Sequence, residues 1–346
     1  MTGKGSHDYL TAEGHQDIFE LTIRRSRGEE APLRDGQLPR LLTAGIDVVF
    51  IVVGGDATHH RDGSERPLEG SLDIIDMFWM ECEKAGPDAS VILSRYDIPS
   101  EPDPQRVRFV MELEGGRPFQ EDYSSGKNTE RKLANLRNFY RLGVRSVQLT
   151  HNGRNELGDG LIDRGTGGGL SQYGVAVIKE MNRLGMLVGV SHLSETGFYR
   201  ALEVSEKPIV ATHSNCRALY DHPRSLTDHQ IRALASHGGV VGIQFLKLML
   251  AELTLDHYLD HIDHACELVG PKHVAATTHG FDPIFMGVFG NAFNRTIPDG
   301  QHNDGSAYRE GLIQLITGLE RRGYDQEDIS CILGKNLLRV LAQVLH

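Results

Sequence analysis

His15 and Asp17, in Gly14-His15-Gln16-Asp17, stand one residue apart at the end of the first apolar run. In an extended strand residues i and i+2 point the same way, so this imidazole and carboxylate can hold one cation from one side. Two further histidines close later strand-like runs: His192 in Val190-Ser191-His192 and His213 in Thr212-His213-Ser214. Glu114, in Glu112-Leu113-Glu114-Gly115-Gly116, closes another. Three imidazoles and two carboxylates suit zinc, and a carboxylate between two ions can bridge them through its two oxygens. Each residue alone also has an ordinary role: a solvated His-x-Asp pair, a hydrogen-bonded histidine after a strand, a Glu-Gly-Gly turn. Their coincidence at separate strand ends points instead to a metal-dependent hydrolase.

Such convergence needs a scaffold that brings strand ends together. Apolar strand-like runs recur at Tyr9–Gly14, Asp47–Val53, Val107–Leu113, Val144–Thr150, Met186–Val190, Pro208–Thr212, Gly239–Phe245 and Val274–Thr278. Between them, Lys132–Leu142, Gln172–Leu184, Glu195–Val204, Thr227–Ser236 and Leu255–Leu268 place apolar residues at helical spacing. Alternation of this kind implies a parallel sheet with helical crossovers, and eight repeats favour a closed (β/α)8 TIM barrel of the α/β class. The expected organisation is one domain over residues 1–346. The rival open, doubly wound sheet lacks its signature, because no Gly-x-Gly-x-x-Gly follows an early strand and Gly54-Gly55-Asp56 reads only as a turn. Asp56–Gly70 and Phe281–Ser306 read as loops after strands, hence on the active-site face of a barrel.

With 346 residues and 39% hydrophobic content the chain can bury a barrel-sized core. Its net charge of −11, with basic residues scattered among acids, carries no electrostatic footprint for nucleic acid or an anionic membrane. A small-molecule partner is expected, and a homodimer is compatible with the composition. Cys82, Cys216, Cys266 and Cys331 lie far apart and read as free thiols. No apolar run suggests a signal peptide or a membrane span, so the expected location is the cytoplasm.

Taken together, these stretches resemble the membrane (renal) dipeptidase family, zinc peptidases of the amidohydrolase superfamily. The resemblance spans essentially the whole chain. It includes Gly14-His15-Gln16-Asp17, Leu113-Glu114-Gly115-Gly116, Leu149-Thr150-His151-Asn152, the run from Glu180 to His192, Thr212-His213-Ser214, Asp221-His222-Pro223-Arg224 and Ile332-Leu333-Gly334-Lys335-Asn336. It implies two zinc ions, or other divalent metals: His15 and Asp17 on one, His192 and His213 on the other, Glu114 bridging. Glu112 shares the parity of Glu114, and the Glu-Gly-Gly match selects Glu114. The resemblance further implies that His151 polarises the substrate and Arg224 anchors its carboxylate. The two ions would acidify a water and polarise the amide carbonyl of a dipeptide or related small amide.

The family also carries an aspartate after the eighth strand as a proton shuttle. Here the segment reads Thr277-Thr278-His279-Gly280-Phe281-Asp282-Pro283, without that aspartate. His279 is the expected substitute, since imidazole titrates near neutral pH, and Asp282 is the weaker one. The departure leaves two alternatives to dipeptide hydrolysis: a biosynthetic or tailoring member acting on another substrate, and a metal- and ligand-binding homologue with weak catalysis. His59-His60 reads as a solvated loop, and His261 and His264 as structural residues on an outer helix.

Overall fold

The computed structural model describes residues 8–58, 66–119, 133–278 and 306–346. His59, His60, His279, Asp282 and all but the last residue of the expected 281–306 loop lie outside them. The described strands are β1 (Ala12–Asp17), β2 (Val48–Gly55), β3 (Ala89–Val91), β4 (Val107–Glu114), β5 (Val144–Gln148), β6 (Leu187–Gly189), β7 (Val210–Ser214), β8 (Val240–Gln244) and β9 (Val274–Thr277). They form one parallel sheet in the order β1-β2-β4-β5-β6-β7-β8-β9, with short β3 paired on β4 outside that path. β9 returns beside β1, where the Thr278 N–H and hydroxyl donate to the Glu13 carboxylate, giving a nearly closed eight-stranded (β/α)8 barrel. β3 was not foreseen. The first strand also starts later than its apolar run, because the Thr11 N–H is taken by the Asp47 carboxylate at 2.9 Å.

Two apolar layers explain why the strands read as nearly unbroken runs, since each must satisfy both faces. Val49, Ile51 and Val53 of β2 face outward and join Phe78, Phe109, Leu136 and Phe198 between barrel and helices. Val48 and Phe50 face inward with Val110, Leu187, Val210, Val240 and Ala275. That inner cluster lies toward the N-terminal ends of the strands. The final helix, Lys335–Val344, inserts Leu337, Leu338, Leu341 and Val344 into it and closes the barrel floor. Toward the C-terminal strand ends the interior turns polar, with Glu112, Ser146, Gln148 and Thr212 all fully buried. An apolar floor under a polar mouth confines polar chemistry to one end.

Leu341 is fully buried against that floor. Leu341→Ala is therefore expected to lower unfolding stability by about 2–5 kcal/mol while leaving metal content unchanged. Urea denaturation with elemental analysis checks this; a parental midpoint would show that the helix contributes no core.

Candidate metal centre

Three strand ends are irregular where they deliver the site. Between Glu13 and Gln16, β1 spends one residue more than its partner β2, so a bulge falls on Gly14-His15. Gly14 turns inward there, and a Cβ on it would come within 2.9 Å of the Thr212 carbonyl, so the bulge requires glycine. From Gln16 the register is regular again, which leaves His15 and Asp17 on the barrel side as their spacing predicts. Between Ala211 and Ser214, β7 has the same extra residue against β8, at Thr212-His213. Bulges next to a site re-aim side chains, and here each aims an imidazole into the mouth. Against β2, β4 meets a third shift, between the Val52–Glu112 and Gly55–Glu114 pairs.

Glu114 is where the imidazoles meet. Its Oε1 lies 2.8 Å from His192 Nε2, 3.4 Å from His213 Nε2 and 3.7 Å from His15 Nε2. Its Oε2 lies 3.7 Å from His151 Nε2. His192 and His213 bring their Nε2 atoms within 2.9 Å of each other, and the His15 ring stacks on His213 at 3.8 Å. Two close groups able to hold a metal ion result, His15-Glu114-His213 and Glu114-His151-His192. The grouping cuts across the expected pairing of His192 with His213. Asp17 is buried on the same wall and its charge acts on His15, yet its carboxylate belongs to neither close group. It lines a cavity of about 610 Å³ with Ile18, Phe19, Val52 and Glu114.

Neighbours fix the rings. Asn152 Oδ1 accepts from His192 Nδ1 at 2.8 Å, so Nε2 is the lone-pair nitrogen turned toward Glu114. Asn152 does this from a left-handed backbone, φ 55°, which asparagine tolerates better than most residues. Thr212 Oγ1 lies 2.8 Å from His213 Nδ1, and Glu112 Oε1 lies 3.5 Å from His15 Nδ1. The other Glu112 oxygen accepts from Ser146 Oγ and Gln148 Nε2. Glu112 thus stands behind the His15 ring, and Glu114 stands in front of it.

Charge follows the same layout. Burial pushes the His192 and His213 rings well below the usual imidazole range, and the nearby cations Arg224 and His15 add to this, so both stay neutral. Burial would also lower His15, but Glu114, Glu112 and Asp17 outweigh it and raise its pKa to about 9. Burial raises the Glu114 carboxyl, but His15, His192 and His213 together outweigh it and hold it well below the usual carboxylate range. Neutral Nε2 lone pairs crowded onto an ionised oxygen are an electron-rich set that a shared cation relieves, so these residues fit a divalent ion.

The whole chain supports that fit. Residues 9–346 match the membrane dipeptidase family, peptidase family M19. The chain belongs to this family. It is 33% identical over 292 residues to an uncharacterized protein in the pqqA 5′ region of Klebsiella pneumoniae, covering 79% of this chain and 97% of that one. It is 34% identical over 212 residues to the dipeptidase verJ of Clonostachys rogersoniana, covering 60% of this chain and 50% of that one. A metallo peptidase of Rhodobacter sphaeroides, solved with a phosphinate mimic of L-Ala-D-Ala, shares the fold: TM-score 0.75, 22% identity, 97% and 99% coverage. So does the dipeptidase AC, with TM-score 0.74, 24% identity and coverage of 98% and 99%. Family membership makes the protein a metallo-dipeptidase-like hydrolase.

Within that frame Arg224 does more than the sequence suggested. It is buried, and burial lowers its pKa to about 10. Nη1 donates to the Ser191 carbonyl and Nη2 to the His213 carbonyl at 3.1 Å, tying together the ends of β6 and β7 beside two imidazoles of the cluster. It also lines a cavity of about 500 Å³ with Ser191, Leu193, Arg217 and Pro223. His261 and His264 stay on the outer helix Leu255–Val269: His261 Nδ1 accepts the Cys216 N–H at 3.0 Å, and His264 pairs with Asp228 at 2.9 Å. All four cysteines are free.

Glu114 is common to both close groups, so Glu114→Ala is expected to abolish retention of divalent metal. Glu112→Gln should bind metal about 10–100-fold more weakly, because it removes a carboxylate behind a ligand rather than the ligand. Competition with a chromogenic chelator measures both, and parental affinity in Glu114→Ala would remove that residue from the centre.

Proposed function

We propose that the protein is a binuclear zinc dipeptidase that hydrolyses a dipeptide, or a related small amide, with a free carboxylate. The observation that carries this is the Glu114 carboxylate, whose two oxygens lie within 3.7 Å of four imidazole nitrogens. His15, Asp17, His192 and His213 complete the proposed ligand set, with Glu114 between the ions. Bound there, the ions supply Lewis acidity toward the scissile carbonyl and an attacking water.

The chain's own residues do the rest. His151, partly exposed at the edge of the cluster, donates an N–H toward the carbonyl oxygen as negative charge develops on it. Arg224 uses N–H groups not spent on the two carbonyls to hold the substrate carboxylate, a charge-assisted contact strengthened by burial. His279, which follows Thr278, is assigned the transfer of a proton from the attacking water to the leaving amine, the task of the missing aspartate. The partner is a small molecule in the cytoplasm; no helix among the described residues is long and apolar enough to cross a membrane.

Zinc-loaded protein is expected to hold two ions and to turn over members of a panel of L-L and L-D dipeptides. Binding without turnover of any of them would favour the tailoring or ligand-binding alternative. Arg224→Ala should cost carboxylate substrates on the order of 2–5 kcal/mol of transition-state stabilisation, and their amidated counterparts far less. Equal loss on both, with metal content falling in step, would reduce Arg224 to a clamp on the strand ends.

His279→Ala should lower kcat by roughly 10²–10⁴ with both ions retained, and His279→Asp should keep dipeptide hydrolysis. A His279→Ala enzyme working at the parental rate excludes the shuttle and moves the test to Asp282.

A further inference from the structure

Strand β2 delivers no imidazole or carboxylate of its own to the barrel mouth, yet the residue that follows it is a partly buried carboxylate. Asp56 sits directly after Gly55, and its own N–H donates to the Glu114 carbonyl at 2.9 Å. Its Oδ1 accepts the Arg117 N–H at 2.8 Å, and its Oδ2 accepts the His151 N–H at 3.1 Å. Asn155 Nδ2 donates to both oxygens, at 3.2 and 2.9 Å. Asn155 is tied in turn to the strand end, donating to the Leu149 carbonyl at 2.9 Å and accepting the Leu157 N–H at 2.8 Å. One carboxylate therefore gathers the loop that directly follows Glu114 and the loop after β5 that carries His151.

Room for it is built in. Gly115 has φ 111°, and a Cβ there would lie 2.1 Å from the Asp56 carboxyl carbon. The second residue of the Glu114-Gly115-Gly116 stretch is thus glycine because the Asp56 carboxylate packs against it. A carboxylate suits this position better than an amide, since every group converging on its oxygens is an N–H donor and an amide would turn its own donors on some of them.

We propose that Asp56 is a positioning residue for His151: its carboxylate fixes the main chain at 151 and so sets the imidazole against Glu114 at the edge of the metal centre. This rests on the reading of His151 as the group that stabilises the developing oxyanion. Asp56 reaches Glu114 only through main chain, so replacing its side chain leaves the metal ligands in place. Of the residues its carboxylate bonds, Arg117, His151 and Asn155, only His151 carries an imidazole of the cluster.

A double-mutant cycle on the zinc-loaded enzyme tests this. Asp56→Asn is expected to lower kcat and kcat/KM together by about 10–100-fold, with parental metal content and an unchanged circular dichroism spectrum. In a His151→Ala background the same substitution should change kcat by less than about twofold, because nothing is left to position. Asn155→Ala, which removes one donor and keeps the carboxylate, should show a smaller loss with the same dependence on His151, and it serves if Asp56→Asn fails to fold. Equal fold-losses in both backgrounds, or metal lost from Asp56→Asn, overturn the positioning role while leaving His151 as a catalytic group. Parental kcat in His151→Ala instead overturns the reading of His151, and the inference with it.

Discussion

A carboxylate buried at the mouth of a barrel sets the terms for everything around it. Removing an ionised group from water costs several kcal/mol unless other charges and donors compensate. Glu114 is 8% exposed and has no lysine or arginine ion pair among the described residues; its compensation comes from imidazoles. Imidazoles are the residues that can be neutral or cationic at little cost near neutral pH, and neutral ones are metal ligands. The local charge problem and the capacity for a cation are therefore one arrangement seen from two sides.

The fold solves the complementary problem of keeping that charge away from apolar matter. Ala12, Val48, Phe50, Val210 and Val240 fill the lower interior, and the C-terminal helix seals it with leucines. Above this layer buried polar side chains meet across the barrel, as in Gln148 reaching both Glu112 and Thr212. Backbone irregularity appears where the two layers meet the imidazoles. The bulges at Gly14-His15 and Thr212-His213 let two histidines face inward out of strict alternation. A regular strand would have turned one neighbour of each pair into the outer core.

Loops finish what the strands begin. The long connection after β5 carries His151 and Asn152 and holds its shape through Asp159, which accepts from Arg154, Thr166 and Gly169. Asn152 in its left-handed conformation then reaches His192 on another strand end. Arg224 performs a similar service on the far side by bonding the carbonyls of Ser191 and His213. Such contacts orient imidazoles that the strands only bring near.

The sequence by itself determined the architecture and the chemical type of the site. Strands buried on both faces must be apolar throughout and the helices between them amphipathic, so the alternation was legible. Helices at Gln172–Leu184 and Glu195–Val204 stand where the spacing put them. That His15, Glu114, His192 and His213 would converge was legible from their places at separate strand ends. The tertiary structure alone decided which imidazoles share which carboxylate oxygen, and that Asp17 stands outside both close groups. It alone showed Glu112 behind His15 and Asp56 beneath His151, although Gly54-Gly55-Asp56 read as a turn. Asp56 reaches His151 across 95 residues and Asn155 across 99. Local pattern records which face a side chain takes, not which distant donor will meet it, and a bulge of one residue leaves no mark in periodicity until the neighbouring strand fixes the register.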